Sequence, residues 1–355
     1  MFRIDLLPAQ RGDCIWITYG MGDELHHVLI DGGPAETIET LVPELERRIR
    51  AIPGDRDRVE LLVVTHIDAD HIQGVVSLLS DHARVRLFRD IWFNGWKHHD
   101  PDEFLGGVDA ERLTRPLLTD EVRWNRAFGG HAVVVPDETP LPTRTLAGGM
   151  TLTLLGPTPS QLTTLAPEYE KACIKAGVVA GSGAPIIRKG WLREDFLGGF
   201  DPVRLAAAKG SSDSSKPNKA SITLIAEYDG ARVLLLADAH AGPTAEALDR
   251  LGPGPHHFDA VKISHHGSRN NTSRQLCERI RSKNWLVSSN GATFGHPDGE
   301  CLARIVVSQD RPVFHLNYVT DRVTDLIEGA GDTYSVEVPR RRPDGSVEEG
   351  ISLSL

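Results

Sequence analysis

The stretch LLVVTHIDADHIQG, residues 61–74, decides the fold. An apolar run from Leu61 to Val64 breaks into His66, Asp68, Asp70 and His71. Two imidazoles and two carboxylates fall within six residues, and no lysine or arginine among them neutralises the acids. The run reads as a strand and "DHIQGVVSLLSDH" as the helix that follows, so the cluster stands at a strand's carboxyl end. A loop there can turn several side chains to one point. A polar turn with Asp70 as helix cap accounts for one acid. Four ligating groups after a β-run are better explained by a divalent metal, since His and Asp suit Zn²⁺ and harder ions such as Mn²⁺ or Fe²⁺.

Working outward, short apolar runs bounded by Gly, Asp and Pro read as strands: "FRIDLL", "CIWITYG", "HHVLIDGG", "DIWFNG" and "MTLTLLGP" in the first half, then "SITLIAEYDG", "ARVLLLADAH", "DAVKISHHG" and "NWLVSSNG" in the second. Helical patterns lie between them. In "AETIETLVPELERRIRAI", Ile38, Leu41, Leu45 and Ile49 share a face, with Pro43 expected in the first turn. A helix is expected from Pro159 to Ala176, followed by the Gly/Ser-rich "AGSGAP" and "KGSSDSSKPN". Residues 157–217 therefore read as an insertion in one domain spanning 1–355, and about 312–355 as a C-terminal extension. The order of elements predicts an α/β sandwich of two sheets with outer helices. The halves before about 156 and after about 218 are each expected to supply one sheet.

Later strand ends add donors. Asp238 closes "VLLLADAH" and His265 follows "VKIS". His266 should point elsewhere if the strand persists, as a partner to the site and not a ligand. Asp31 ends "LIDGG", suited to accept from a ligand histidine's outward nitrogen; an Asp-Gly hairpin turn is the competing reading.

These motifs resemble the metallo-β-lactamase superfamily, whose signature H-x-H-x-D-H is H-I-D-A-D-H at residues 66–71, with Asp68 replacing the second histidine. The substitution makes that part of the site harder and more anionic. The order of "GDCIWITYG…HHVLIDGG", "THIDADHIQG", "NKASITL…VLLLADAH", "VKISHHGSRNNTS" and "NGATFGHP", over about residues 4–305, resembles the hydrolase domain of ComEC-type competence proteins, without their membrane channel. The resemblance implies a four-layered αββα sandwich. It also implies two divalent ions, zinc or manganese with iron as the third choice, held by His66, Asp68, Asp70, His71, Asp238 and His265, with Asp31 and His266 behind them. A hydroxide shared by the ions would attack a phosphodiester, nucleic acid included. Asp70 would orient it, His296 would serve catalysis, and Ser268 or Asn270 would meet the substrate unless they only cap the next helix. One further histidine of the superfamily's first site is not evident; His98, His99 and His131 are its candidates, the first two in a loop that reads as exposed.

Composition bounds the function. The formal net charge is −10 over 355 residues, no footprint for indiscriminate nucleic-acid binding, although Arg269 and Arg274 flank the site motif and could steer a phosphate backbone. Aromatic residues are only 6%, so no long base-stacking platform is indicated. Four scattered cysteines read as free thiols of a cytoplasmic protein. No signal peptide or membrane span is expected. Two other readings stand beside the phosphodiesterase or nuclease: a lactone or thioester hydrolase on the same site, and a metal-binding scaffold or sensor that docks a protein partner through the insertion or the C-terminal segment.

Overall fold

The computed structural model describes residues 1–54, 56–98, 108–118, 123–137, 140–176, 200–208, 211–292, 295–340 and 350–355. His99 and residues 177–199 of the expected insertion lie outside them. The first sheet contains β1 (Phe2–Leu6), β2 (Ile15–Met21), β3 (Glu24–Ile30), β4 (Leu61–Val63) and β5 (Ile91–Trp92). The second runs through β6 (Thr143–Thr145), β7 (Thr151–Gly156), β8 (Thr223–Tyr228), β9 (Ala231–Leu235), β10 (His256–Lys262), β11 (Ile280–Val287), β12 (Val313–Leu316) and β13 (Ser335–Glu337). A last strand, β14 (Ile351–Ser354), pairs antiparallel with β1 and completes the order β14-β1-β2-β3-β4-β5.

The opening stretch shows why this is a sandwich. Leu61 and Val63 face the core between the sheets, with Leu152, Leu224 and Leu235 opposite. Leu62 and Val64 face the other way, against Leu41, Leu45, Ile72 and Val75. A parallel strand buried on both faces reads as an unbroken apolar run. Helices α1 (Ile38–Ala51), α2 (Ala69–Leu78) and α3 (Val108–Leu117) cover the first sheet. Beyond them in the chain come α4 (Pro159–Ala176), α5 (Pro202–Ala206) and α6 (Lys216–Lys219). The second sheet's outer face is covered by α7 (Ala241–Asp249), α8 (Arg274–Arg279), α9 (Gly299–Ser308) and α10 (Asp321–Glu328) around Trp285 and Phe314. The four-layered αββα sandwich is thus the observed architecture.

Three expectations need correction. The two halves do not each own a sheet: β6 and β7 precede residue 157 yet join the second sheet, and β14 joins the first. The C-terminal segment is woven into both sheets, with Arg3 opposite Ser354 and Val313 opposite Ser335. Pro43 sits in the second turn of α1, not the first. The helix accepts it on a face whose buried residues Leu41, Val42, Leu45 and Ile49 pack on the sheet, so tertiary burial outweighs the missing N–H.

Backbone fits against backbone where α2 meets the turn after β3. Gly74 N donates to Gly33 O at 2.9 Å, and Gly32 N donates to His71 O at 2.9 Å. A Cβ on Gly74 would stand 1.8 Å from Gly32 O. Gly74→Ala should therefore push α2 off the sheet. The better helix propensity of alanine, about 1 kcal/mol, is outweighed by overpacking of about 1–3 kcal/mol. A net loss of up to about 2 kcal/mol is expected in urea unfolding, and a raised midpoint would show that the helix shifts freely.

Candidate metal centre

Four strand ends deliver the side chains. His66 follows β4, Asp238 follows β9, His265 and His266 follow β10, and Asp31 follows β3. Asp70 and His71 lie in the first turn of α2, whose N-cap is Asp68 and not Asp70. The backbone is bent to do this. Asp31, Ala237, His265 and His266 all have positive φ, between 45° and 57°, which costs non-glycine residues about 1–3 kcal/mol each.

The Asp238 carboxylate is the hub. Its Oδ2 lies 3.9 Å from His66 Nε2, 3.4 Å from His71 Nε2, 3.6 Å from His265 Nε2 and 3.6 Å from His266 Nε2. Each histidine has its other nitrogen engaged away from the centre. His71 Nδ1 donates to Asp31 Oδ2 at 2.8 Å. His266 Nδ1 donates to Ser288 O at 3.0 Å. Thr65 Oγ1 donates to Asp31 at 2.7 Å and so accepts from His66 Nδ1 at 3.0 Å. The Asn271 amide nitrogen donates to the Asp213 carboxylate and Asp238 O, which leaves its Oδ1 to accept from His265 Nδ1 at 3.0 Å. In their neutral forms all four rings would therefore present their Nε2 lone pairs toward Asp238, the arrangement that outer partners impose on metal-ligating histidines.

Three overlapping groups of donors converge closely enough to share an ion: His66, His71 and Asp238; Asp70, His71 and His266; and Asp13, Asp238 and His266. Asp68 Oδ2 stands 3.7 Å from His66 Nε2, and Asp70 Oδ2 stands 3.5 Å from His266 Nε2. Atoms that share one ion at about 2.0–2.2 Å stand about 3–4 Å apart. His66 Nε2 and Asp238 Oδ1 are buried with no hydrogen-bond partner, an arrangement costing about 1–3 kcal/mol per group unless a cation takes the lone pairs. The residues present fit divalent ions.

Charge follows the same geometry. Burial pushes His66 down to about 3, so its ring is neutral. Burial also opposes protonation of His71 and His266, but Asp238 reverses this with help from Asp31 and Asp13, raising His71 well above its usual value and His266 to about 9. Burial would raise Asp70, yet His266 and His71 hold it at about 2. Burial and the neighbouring Asp70 and Asp238 push Asp68 up to about 7, although its side chain keeps 38% of its surface exposed and solvent tempers the shift.

Strand alternation favours His265 over His266, and the geometry treats them differently. β10 ends at Lys262, and both histidines lie beyond it with positive φ, so the alternation of a strand no longer applies. His266 is fully buried among Asp70, His71 and Asp238; His265 faces Asp238 and Asp213 from the rim. His296 stands beside His265, ring centroids 5.3 Å apart, with Asp298 at 3.5 Å from its Nδ1. Ser268 is buried and accepts from Asn270 N at 3.3 Å, a turn contact, while Asn270 accepts from Ser211 at 3.0 Å. His98 is half-buried against Trp124 and bonds Gly130 O, where an exposed loop was expected. Its third described neighbour is Asn125, at 3.4 Å.

Sequence reading missed several members. Asp13 is buried 2.8 Å from Lys262 Nζ and 3.4 Å from His266 Nδ1. Its signal was an acid directly before the strand in "RGDCIW". Asp213 reaches within 3.5 Å of both His265 Nδ1 and His240 Nε2, hidden in a serine-rich run that reads as linker.

Asp31 ties two histidines at once, so Asp31→Asn should be costly. An amide can still accept from Thr65 N, but its NH₂ faces His71 Nδ1–H and disfavours that tautomer. A 10–100-fold loss of metal affinity is expected, of the order seen on removing outer partners of metal ligands. Competition with a chelating dye measures it; an unchanged affinity would show that Asp31 orients neither ring.

No protein-family model and no curated protein matches the chain. Among solved structures it is similar to the metallo-beta-lactamase fold protein YhfI from Bacillus subtilis, at 10% identity and TM-score 0.43 with 100% of both chains covered. It is also similar to Zn²⁺-bound PqqB from Methylobacterium extorquens, at 12% identity and TM-score 0.42 with 100% of both chains covered. A diphosphatase from the PhnP family aligns at 10% identity and TM-score 0.35, over 98% of this chain and 86% of that one. Likeness at this level carries none of the chemistry, which rests on the donors themselves.

Proposed function

We propose that this chain is a metal-dependent hydrolase of the metallo-β-lactamase type, acting on a phosphodiester. The observation that carries the reading is the convergence of four imidazole Nε2 atoms on the buried Asp238 carboxylate, each ring fixed through its outward nitrogen. His66, Asp68 and Asp238 would hold one ion, with His265 at its edge. Asp70, His71, His266 and Asp238 would hold the other. Bound ions of this kind supply Lewis acidity and a water-derived nucleophile at neutral pH. Asp70, ionised throughout the working range, accepts a hydrogen bond from the attacking water and orients it. His265 and His296 stand on the open side, placed to meet the leaving group. Zn²⁺ and Mn²⁺ suit this nitrogen and oxygen donor set, with Fe²⁺ next.

Nucleic acid is the less favoured phosphodiester. Arg269 pairs with Glu300 at 2.9 Å and Arg274 with Glu278 at 2.9 Å, so neither offers an uncompensated charge to a phosphate backbone. Among the described residues no helix is long and apolar enough to cross a membrane. Four buried free cysteines suit a reducing cytoplasm.

Elemental analysis of purified protein, with hydrolysis of bis-p-nitrophenyl phosphate measured across Zn²⁺, Mn²⁺, Fe²⁺ and Mg²⁺, tests the reading. About two ions per chain and metal-dependent turnover are expected. Metal with turnover of a lactone or thioester alone would move the assignment to that ester; metal without turnover would favour a scaffold or sensor.

A further inference from the structure

A cavity of about 490 Å³ opens beside the metal centre, between α7, the start of α4 and the first residues of β8. Its size falls in the range of small-ligand pockets, about 300–1,000 Å³. Two of its walls continue the centre directly. Ala239 and His240 follow Asp238, and Ser221 precedes Ile222, whose N donates to Thr65 O at 2.8 Å, one residue before His66. His240 stands at the partition, its Nε2 3.5 Å from the Asp213 carboxylate that also approaches His265.

The lining is chemically specific. Ser221 is 1% exposed and its Oγ has no hydrogen-bond partner, a state that buried hydroxyls rarely keep without a ligand or water. Lys219 is half-buried, and none of the described residues pairs with its ammonium. Asp137 and Glu246 stand exposed at the rim as hydrogen-bond acceptors. Among the described lining residues His240 is the only aromatic ring, so there is no platform on which a nucleobase would stack. Two cations line it, Lys219 and Arg250, the latter donating to Pro136 O at 2.8 Å; with the acceptor carboxylates and the Ser221 hydroxyl they suit an anionic group carrying several hydroxyls.

We infer that this cavity binds a phosphorylated polyol, a sugar-phosphate group that forms the unattacked part of the substrate. As a statement about substrate, the inference rests on the hydrolase reading above; as a binding site it does not. Lys219 takes the anion, Ser221 donates to it or to a hydroxyl, and Glu246 and Asp137 accept from hydroxyls. The substrate is then a small ester whose distal half sits beside α7.

Calorimetry of the full chain with ribose 5-phosphate tests this, with and without EDTA. Binding is expected in both conditions, because no lining residue named here belongs to the metal centre. Lys219→Met, at this half-buried side chain, should weaken it at least about tenfold through loss of a charged hydrogen bond. Ala247→Phe, which fills the cavity, should abolish it, with circular dichroism reporting the fold. No binding to wild type would overturn the inference. So would binding that EDTA removes and Lys219→Met leaves unchanged. Inorganic phosphate binding as tightly as ribose 5-phosphate would reduce the site to an anion site and refute the polyol assignment; thymidine 5′-monophosphate binding more tightly would refute the exclusion of a base. Hydrolysis of bis-p-nitrophenyl phosphate, run in parallel, fails or succeeds independently, so loss of the hydrolase reading is distinguished from loss of the cavity.

Discussion

Asp70→Ala is expected to fold as wild type and to lose hydrolysis of bis-p-nitrophenyl phosphate by about 100-fold or more, the scale on which removal of one preorganised polar group acts. Folding should survive because the carboxylate has little structural work. It does not cap α2; Asp68 occupies that position. Its close structural contact is through the backbone, where Gly12 packs so near Asp70 O that a Cβ on Gly12 would stand 1.8 Å away. Alanine keeps that contact. What alanine removes is a negative group held at about 2 by His266 and His71 against the pull of burial. It also removes the acceptor proposed to orient the attacking water, and it takes one carboxylate from beside His266. Elemental analysis should show fewer ions per chain, and the far-ultraviolet dichroism should be unchanged. Full activity in a folded Asp70→Ala protein would mean that the reaction happens elsewhere.

The legible part of this site was the part built from strand ends. "LLVVTH", "VLLLAD" and "VKISHH" each announce a donor because a buried parallel strand is an apolar run and the polar residue closing it stands out. The illegible part lies where the backbone leaves regular structure. Which of His265 and His266 turns inward depends on two positive-φ residues beyond β10, and period-2 reasoning has no hold there. Asp213 was invisible for a different reason. Serine and glycine around it carry no periodicity, and its role arises only from packing against His265, Asn218 and Asn271. The partition of the sheets was illegible too. β14 is the four-residue ISLS, and its partner lies more than 300 positions away, a pairing that local pattern cannot announce.

Lys262→Met is expected to be the most destabilising single change outside the donors themselves. Lys262 is fully buried between the sheets, its ammonium 2.8 Å from Asp13 Oδ2 and donating to Ile263 O at 3.0 Å. Burial alone would raise Asp13; Lys262 and then His266 override it and hold the carboxyl well below the usual range. Removing the ammonium leaves a buried carboxylate with its main compensating charge gone, a change that costs about 3–5 kcal/mol. The pair itself need not be worth that much against an apolar isostere, so Asp13→Leu with Lys262→Met should recover most of the loss. Asp13 has a depressed native pKa, so its contribution is complete above its unfolded value of about 3.9 and fades as pH falls through the native one. In Lys262→Met the carboxyl rises and takes a proton sooner, which relieves the variant. The stability gap between wild type and Lys262→Met should therefore be widest near neutrality and narrow on acidification. Urea unfolding at neutral pH and near pH 4 measures both arms. A gap below about 1 kcal/mol at neutrality would show that Asp13 finds another partner. A gap that widens in acid would reverse the assigned charge. Because Asp13 also stands 3.4 Å from His266 Nδ1, the same substitution should weaken binding of an ion at the proposed site of Asp70, His71 and His266 before it unfolds the chain.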